Sequence, residues 1–145
     1  MVREIIFRGK RKDNGEWVEG SYMYANSRCW IVDNGARFDY GELDDCEEVD
    51  PQTVGQFVGL VDRKDRKIFE GDIVKDPGVA PQYPGVYVVE FDYGSFGLRN
   101  ITDGAISITP FDDSEYYIDA FSIEVIGNIH DNPELLEVSY ERNIV

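Results

Sequence analysis

Apolar positions along this chain fall in short runs and alternations, and no stretch sustains the 3.6-residue period of an amphipathic helix. Residues 16–24 show the pattern well. Trp17, Glu19, Ser21 and Met23 alternate with Val18, Gly20, Tyr22 and Tyr24, so one face of a strand is more apolar than the other. In residues 85–92, Val86, Val88 and Glu90 alternate with Tyr87, Val89 and Phe91. These runs are rich in β-branched and aromatic residues, which suit a pleated, half-buried surface. The pattern predicts strands near 3–8, 16–24, 54–62, 67–76, 85–92 and 95–99. Asp13-Asn14-Gly15 supplies the positive φ angles of a tight hairpin after the first strand. "SRCWIVD" pairs onward and ends in a turn at Asp33-Asn34-Gly35, and Asp92-Tyr93-Gly94 turns the last hairpin. The N-terminal part reads as an antiparallel meander.

The intervening stretches carry weaker patterns. Residues 39–50, "DYGELDDCEEVD", are acidic with little core potential and read as a loop or edge segment ending at Pro51. Residues 76–85 hold three of the six prolines and read as an exposed loop. The second half of 102–122 is compatible with a helical turn or more. "IEVIGNIHDNPELLEV" reads as a strand running into a short helix with Pro133 in its first turn, and the tail after Glu137 is expected to be mobile. "TVGQFVG" and "EVIGNIH" echo each other faintly, as two strand starts of one barrel.

At 145 residues the chain makes one domain, and 42% hydrophobic with 13% aromatic residues suffices for a packed core. The formal net charge of −15 disfavours binding to DNA, RNA or an anionic membrane, because the summed field repels phosphate. It favours solubility or a basic partner. Cys29 and Cys46 lack CxxC spacing, and with His130, the single histidine, they fall short of the four ligands of a structural zinc site. Both thiols are expected to be free and reduced, which points to a cytoplasm. The N-terminal apolar run, Ile5 to Phe7, is too short for a signal peptide, and no run reaches 18 apolar residues.

Several clusters invite a chemical reading. Arg63, Lys64, Arg66 and Lys67 sit in "DRKDRKIFEGDIVK", but glycine follows the basic run and precedes a strand, so the GxxxxGK[ST] phosphate loop is absent. A solvated hairpin tip fits, with Gly71 making a sharp corner and Asp72 accepting backbone N–H bonds. Arg8, Lys10, Arg11 and Lys12 form a second basic tip, and the two tips together hold eight of the 14 bases. Such charges protect hairpin edges from aggregation, steer a partner, or meet the acidic loop of a neighbouring copy. Asp44, Asp45, Glu47, Glu48 and Asp50, and separately Asp112, Asp113 and Glu115, lack the order of a calcium loop. No GxSxG is present and His130 has no orienting partner in sequence, so a structural or surface histidine is expected. Trp17 and Trp30 read as packing residues. No catalytic, cofactor-binding or metal-ligating residue is assigned.

"REIIFRGKRKDNGEWVEG", "VGQFVGLVDRKDRKIFEGDIVK", "GVYVVEFDYGSFGL" and "SIEVIGNIHDNPELL", in this order and spacing, resemble the YopX family of small phage and prophage proteins. The usual Asn-Gly at the tip of the middle hairpin is replaced by Lys64-Asp65-Arg66, where Asp65 tolerates a left-handed backbone. The resemblance implies a mostly β fold over 1–145: an N-terminal meander (1–50), an SH3-like barrel (51–137) with one or two short helices, and a mobile tail (138–145). It implies no activity, cofactor or metal. The expected function is a non-enzymatic interaction module in a bacterial host cytoplasm, with a protein partner of basic character and possible homo-oligomerisation. The alternatives are an acidic decoy imitating DNA and an enzyme with its site across the barrel loops.

Overall fold

The computed structural model describes residues 3–76, 85–101, 109–111 and 122–137. Among these the fold is mostly β, and the paired strands run antiparallel. The expected loop at 76–85, the 102–122 segment, Asp112, Asp113, Glu115 and the tail lie wholly or largely outside the described residues. The chain divides into two compact units, residues 1–57 and 58–145.

In the first unit, β1 (Phe7–Lys10), β2 (Trp17–Ala25), β3 (Arg28–Val32) and β6 (Cys46–Val49) pair in the order β6-β3-β2-β1, and the start of β7 (Gly55–Val61) adds to β1. A two-stranded ribbon, β4 (Phe38–Asp39) with β5 (Glu42–Leu43), is separate. Cys29, Ile31 and Val49 form the buried centre, with Phe7, Val18 and Val54 packed against it. The meander expected from the sequence is therefore present. Three details refine it. β1 begins at Phe7 rather than at residue 3. The hairpin from β2 to β3 turns on Asn26 and Ser27, whose φ angles of 54° and 59° make a two-residue primed turn. And the acidic stretch 39–50, read as a loop or edge segment, supplies an edge: residues 46–49 form β6, the outermost strand, in register with β3.

What makes an edge strand of these acids is non-local. Beyond β1 the chain comes back to β6: Arg11 bridges Val49, Lys12 N–H donates to the Glu48 carbonyl at 3.0 Å, and Asp50 N–H donates to the Lys10 carbonyl at 2.9 Å. Opposite charges meet there. Arg11 lies 3.2 Å from Glu47, and Lys12 lies 3.0 Å from Glu48. Asp50 then caps a 3-10 turn, Pro51–Thr53, by accepting from Gln52 N–H at 3.0 Å.

In the second unit, the end of β7 turns into β8 (Lys67–Phe69), and β9 (Asp72–Asp76), β10 (Gly85–Asp92), β11 (Ser95–Asn100), β12 (Thr109–Pro110) and β13 (Glu124–Asn128) form a five-stranded sheet in the order β12-β11-β10-β9-β13. Ile68, Val74, Tyr87, Val89, Leu98 and Ile123 are its buried core. The expected strand 67–76 is split at Glu70-Gly71, where Gly71 takes φ 87°. Neither sheet closes on itself among the described residues. The hairpin at Tyr93-Gly94 and the helical turn after Pro133, at 134–137, are found as read.

Candidate functional site

A groove of about 370 Å³ opens on the first unit, lined by Val18, Glu19, Ile31, Asp33, Asp45 and Glu47. Strand register assembles it. Ile31 of β3 lies opposite Glu47 of β6, and Val18 of β2 opposite Gly9 of β1. Asp33 N–H donates to the Asp45 carbonyl at 2.9 Å, which draws the two loop acids to the end of the strands. Asp45 makes this possible with φ 48°, a left-handed backbone that Asp accepts better than most residues. Ile31 is buried and Val18 half-buried, so the groove has an apolar lining beside four carboxylates. Glu47 is paired with Arg11; among the described residues no base pairs with Glu19, Asp33 or Asp45.

The basic tips behave differently from free cationic patches. Arg11 holds Asp13 at 2.7 Å as well as Glu47. The bond to Asp13 raises the Arg11 guanidinium above its ordinary value and lowers the Asp13 carboxyl. Arg28 joins Lys12 on Glu48, at 3.6 Å. The Arg8 guanidinium lies 4.7 Å, and the Lys10 ammonium 5.6 Å, from the centroid of the Trp17 ring. A second hollow of about 440 Å³ runs between Lys10–Lys12 and Pro51–Thr53. Its cations are engaged by this chain's own acids and by Trp17, which leaves a poor phosphate site. Trp17 is thus a platform for charge, and Trp30 donates its indole N–H to the Ala25 carbonyl at 3.2 Å.

The stretch from the basic tip at 63–67 to the start of β9 is structural. Arg63, Lys64, Asp65, Arg66 and Lys67 are all exposed, and Asp65 adopts the left-handed φ of 66°. Beneath them Asp62 is 1% exposed. Its Oδ1 accepts from Lys64 N–H at 2.8 Å and Arg66 N–H at 2.9 Å, and its Oδ2 accepts from Val125 N–H at 2.9 Å. Burial pushes the Asp62 carboxyl up, but these three N–H bonds and the nearby Arg66 charge outweigh it and hold the group below its ordinary value. Asp72 accepts from Phe69 N–H at 2.8 Å, as the sequence predicted for the corner. Sequence reasoning passed over Asp62, although an Asp opening a hairpin turn is a recognised Asx signal.

His130 is half-buried beside this corner, 3.7 Å from where a Gly71 Cβ would stand. Its backbone N–H donates to Asn128 Oδ1 at 3.0 Å. Among the described residues no group of three or more His, Cys, Asp or Glu side chains is suited to a metal ion. Cys29 and Cys46 are both free thiols. The Tyr22 hydroxyl lies 3.4 Å from Cys29 Sγ, a contact that, with burial, raises the Tyr22 phenol. Among the described residues no helix is long and apolar enough to cross a membrane.

A family model described as YopX protein matches residues 6–137. No curated protein matches. Among solved structures the chain is similar to the crystal structure of protein EF1440 from Enterococcus faecalis, with 24% identity and a TM-score of 0.56 over 93% of this chain and 99% of that one. That likeness is one of fold.

Proposed function

The chain belongs to the YopX family, and from that premise we propose that it is a non-enzymatic interaction module that takes a basic segment of a protein partner in the groove of its first unit. The observation that carries the reading is the lining: apolar Val18 and Ile31 beside the carboxylates of Glu19, Asp33 and Asp45. A lysine or arginine side chain suits this arrangement, with its methylenes on the apolar part and its charge among the carboxylates. The net charge of −15 adds long-range attraction for such a partner. The same proposal places the protein in a bacterial cytoplasm with a phage or prophage origin; the two free thiols support the compartment. It also takes the second unit as an SH3-like barrel, supported by its five antiparallel strands around one core.

The test is titration of the isotopically labelled protein with a Lys/Arg-rich peptide and a Glu-rich control. The Val18 and Ile31 methyl resonances should shift with the basic peptide alone, and less as salt rises. In the Glu19→Gln/Asp45→Asn double variant the shifts should largely vanish. Equal shifts from both peptides, or shifts that spare Val18 and Ile31, would overturn the reading.

A further inference from the structure

The chain contains two Asn-Gly dipeptides in described, exposed turns, Asn14-Gly15 and Asn34-Gly35, and the structure treats them in opposite ways. At the first, Gly15 N–H donates to the Arg11 carbonyl at 2.9 Å, inside the hairpin that joins β1 to β2. The Asn14 side chain is held as well, its Oδ1 accepting from Glu16 N–H at 2.9 Å. At the second, Gly35 N–H donates at 2.8 Å to a carboxylate oxygen, Oδ1 of Asp33. The turn around it is a single i to i+3 bond, Ala36 N–H to the Asp33 carbonyl at 3.0 Å.

We infer that Asn34 is a site of self-modification, in which the Asp33 carboxylate acts as the base for deamidation. For an asparagine to deamidate, the backbone nitrogen of the next residue must attack the side-chain Cγ, and that nitrogen must lose its proton. At Asn34 the proton of Gly35 N already points at a carboxylate. Asp33 accepts it as the N–Cγ bond forms, the Cγ–Nδ2 bond breaks, and the side-chain nitrogen leaves as ammonia after taking a proton back. Water then opens the succinimide at either carbonyl, leaving aspartate or isoaspartate at position 34. At Asn14 the same proton faces a peptide carbonyl, a far weaker base, and the nitrogen is committed to the hairpin.

The product has a consequence for its surroundings. Asp33 lines the acidic groove. Conversion of its neighbour adds a negative charge there, and isoaspartate also lengthens the backbone between β3 and β4 by one methylene. The wall of the groove thereby changes with the age of the molecule, whatever partner the groove accepts.

Incubation of the folded, full-length protein in warm neutral buffer, followed by peptide mapping with fragmentation mass spectrometry, tests this. Asn34 should convert about a hundredfold faster than Asn14, and Asp33→Asn should slow Asn34 by a similar factor, the low end of what a positioned base supplies. In denaturant the two sites should converge. A purely structural role for Asp33 has the opposite sign, because a loosened turn speeds succinimide formation. Faster or unchanged conversion of Asn34 in Asp33→Asn overturns the proposal, as does Asn14 converting at the same rate as Asn34 in the folded chain.

Discussion

The carboxylate of Asp62 reaches across 63 residues to accept the backbone N–H of Val125 at 2.9 Å, while its other oxygen holds the two N–H groups of its own turn. One buried side chain thereby fixes the tip between β7 and β8 and anchors β13 to it. Removing it takes the acceptor from three part-buried donors. Asp62→Ala should therefore destabilise the protein by about 3 kcal/mol, the scale for leaving buried donors unpaired. Asp62→Asn, which keeps one acceptor, should cost less. Equilibrium denaturant unfolding of both variants measures this, and Asp62→Ala matching the wild type would show that water replaces the carboxylate.

The same group makes stability depend on pH in a stated direction. Its folded-state carboxyl lies below the ordinary value, so the unfolded chain takes up the proton first as pH falls. The contribution is fully present above about pH 4, the ordinary carboxylate value, and is lost as pH drops through the lower folded value. The stability gap between wild type and Asp62→Asn should accordingly narrow on acidification. Unfolding curves for the pair at neutral and acid pH read the gap directly; a gap that widens in acid would contradict the assignment.

How far the sequence foretold these features depends on whether the cause was local. Turns were legible because φ is set by one or two residues: Gly15 at 73°, Asp65 at 66° and Gly94 at 76° stand where turn chemistry put them. The corner at Gly71-Asp72 was legible for the same reason. Strand β6 was not, because Glu47 and Glu48 look like solvent residues until Arg11, Lys12 and Arg28 arrive from elsewhere in the sequence to pair with them. The groove was hidden too. Glu19 sits on a strand, Asp33 in one turn and Asp45 in another, and only the Asp33–Asp45 backbone bond unites the last two. Composition announced acidity but not its address.

Gly20 is required by space. A Cβ built there would lie 2.0 Å from the Val32 carbonyl oxygen, backbone that cannot rotate away. Gly20→Ala should force β2 and β3 apart and cost about 3 kcal/mol, at the upper end of overpacking penalties. Because Ile31 lies in β3, the Val18 and Ile31 resonances should shift even without peptide. Thermal unfolding and a methyl spectrum of this variant decide it; a native spectrum would mean that the strands are less closely held than the geometry requires.

The last prediction separates the basic tip from the corner beneath it. Arg63, Lys64, Arg66 and Lys67 are exposed; Lys64 pairs with Glu124 at 2.7 Å and Arg66 donates to the Val125 carbonyl at 3.2 Å. Exposed pairs of this kind contribute little, so changing all four to serine should move stability by about 1 kcal/mol or less. Gly71 has room for a side chain, since the nearest atom to an added Cβ is 3.6 Å away, but its φ of 87° is one that side chains resist. Gly71→Val should thus cost about 1–3 kcal/mol, which backbone strain alone supplies. Asp72→Ala should cost about 1–2 kcal/mol by releasing the buried Phe69 N–H. Denaturant unfolding ranks the three. If the fourfold serine variant collapses while Gly71→Val is neutral, the charges carry the fold and the corner does not, which would reverse the roles assigned to "DRKDRK" and "EGD".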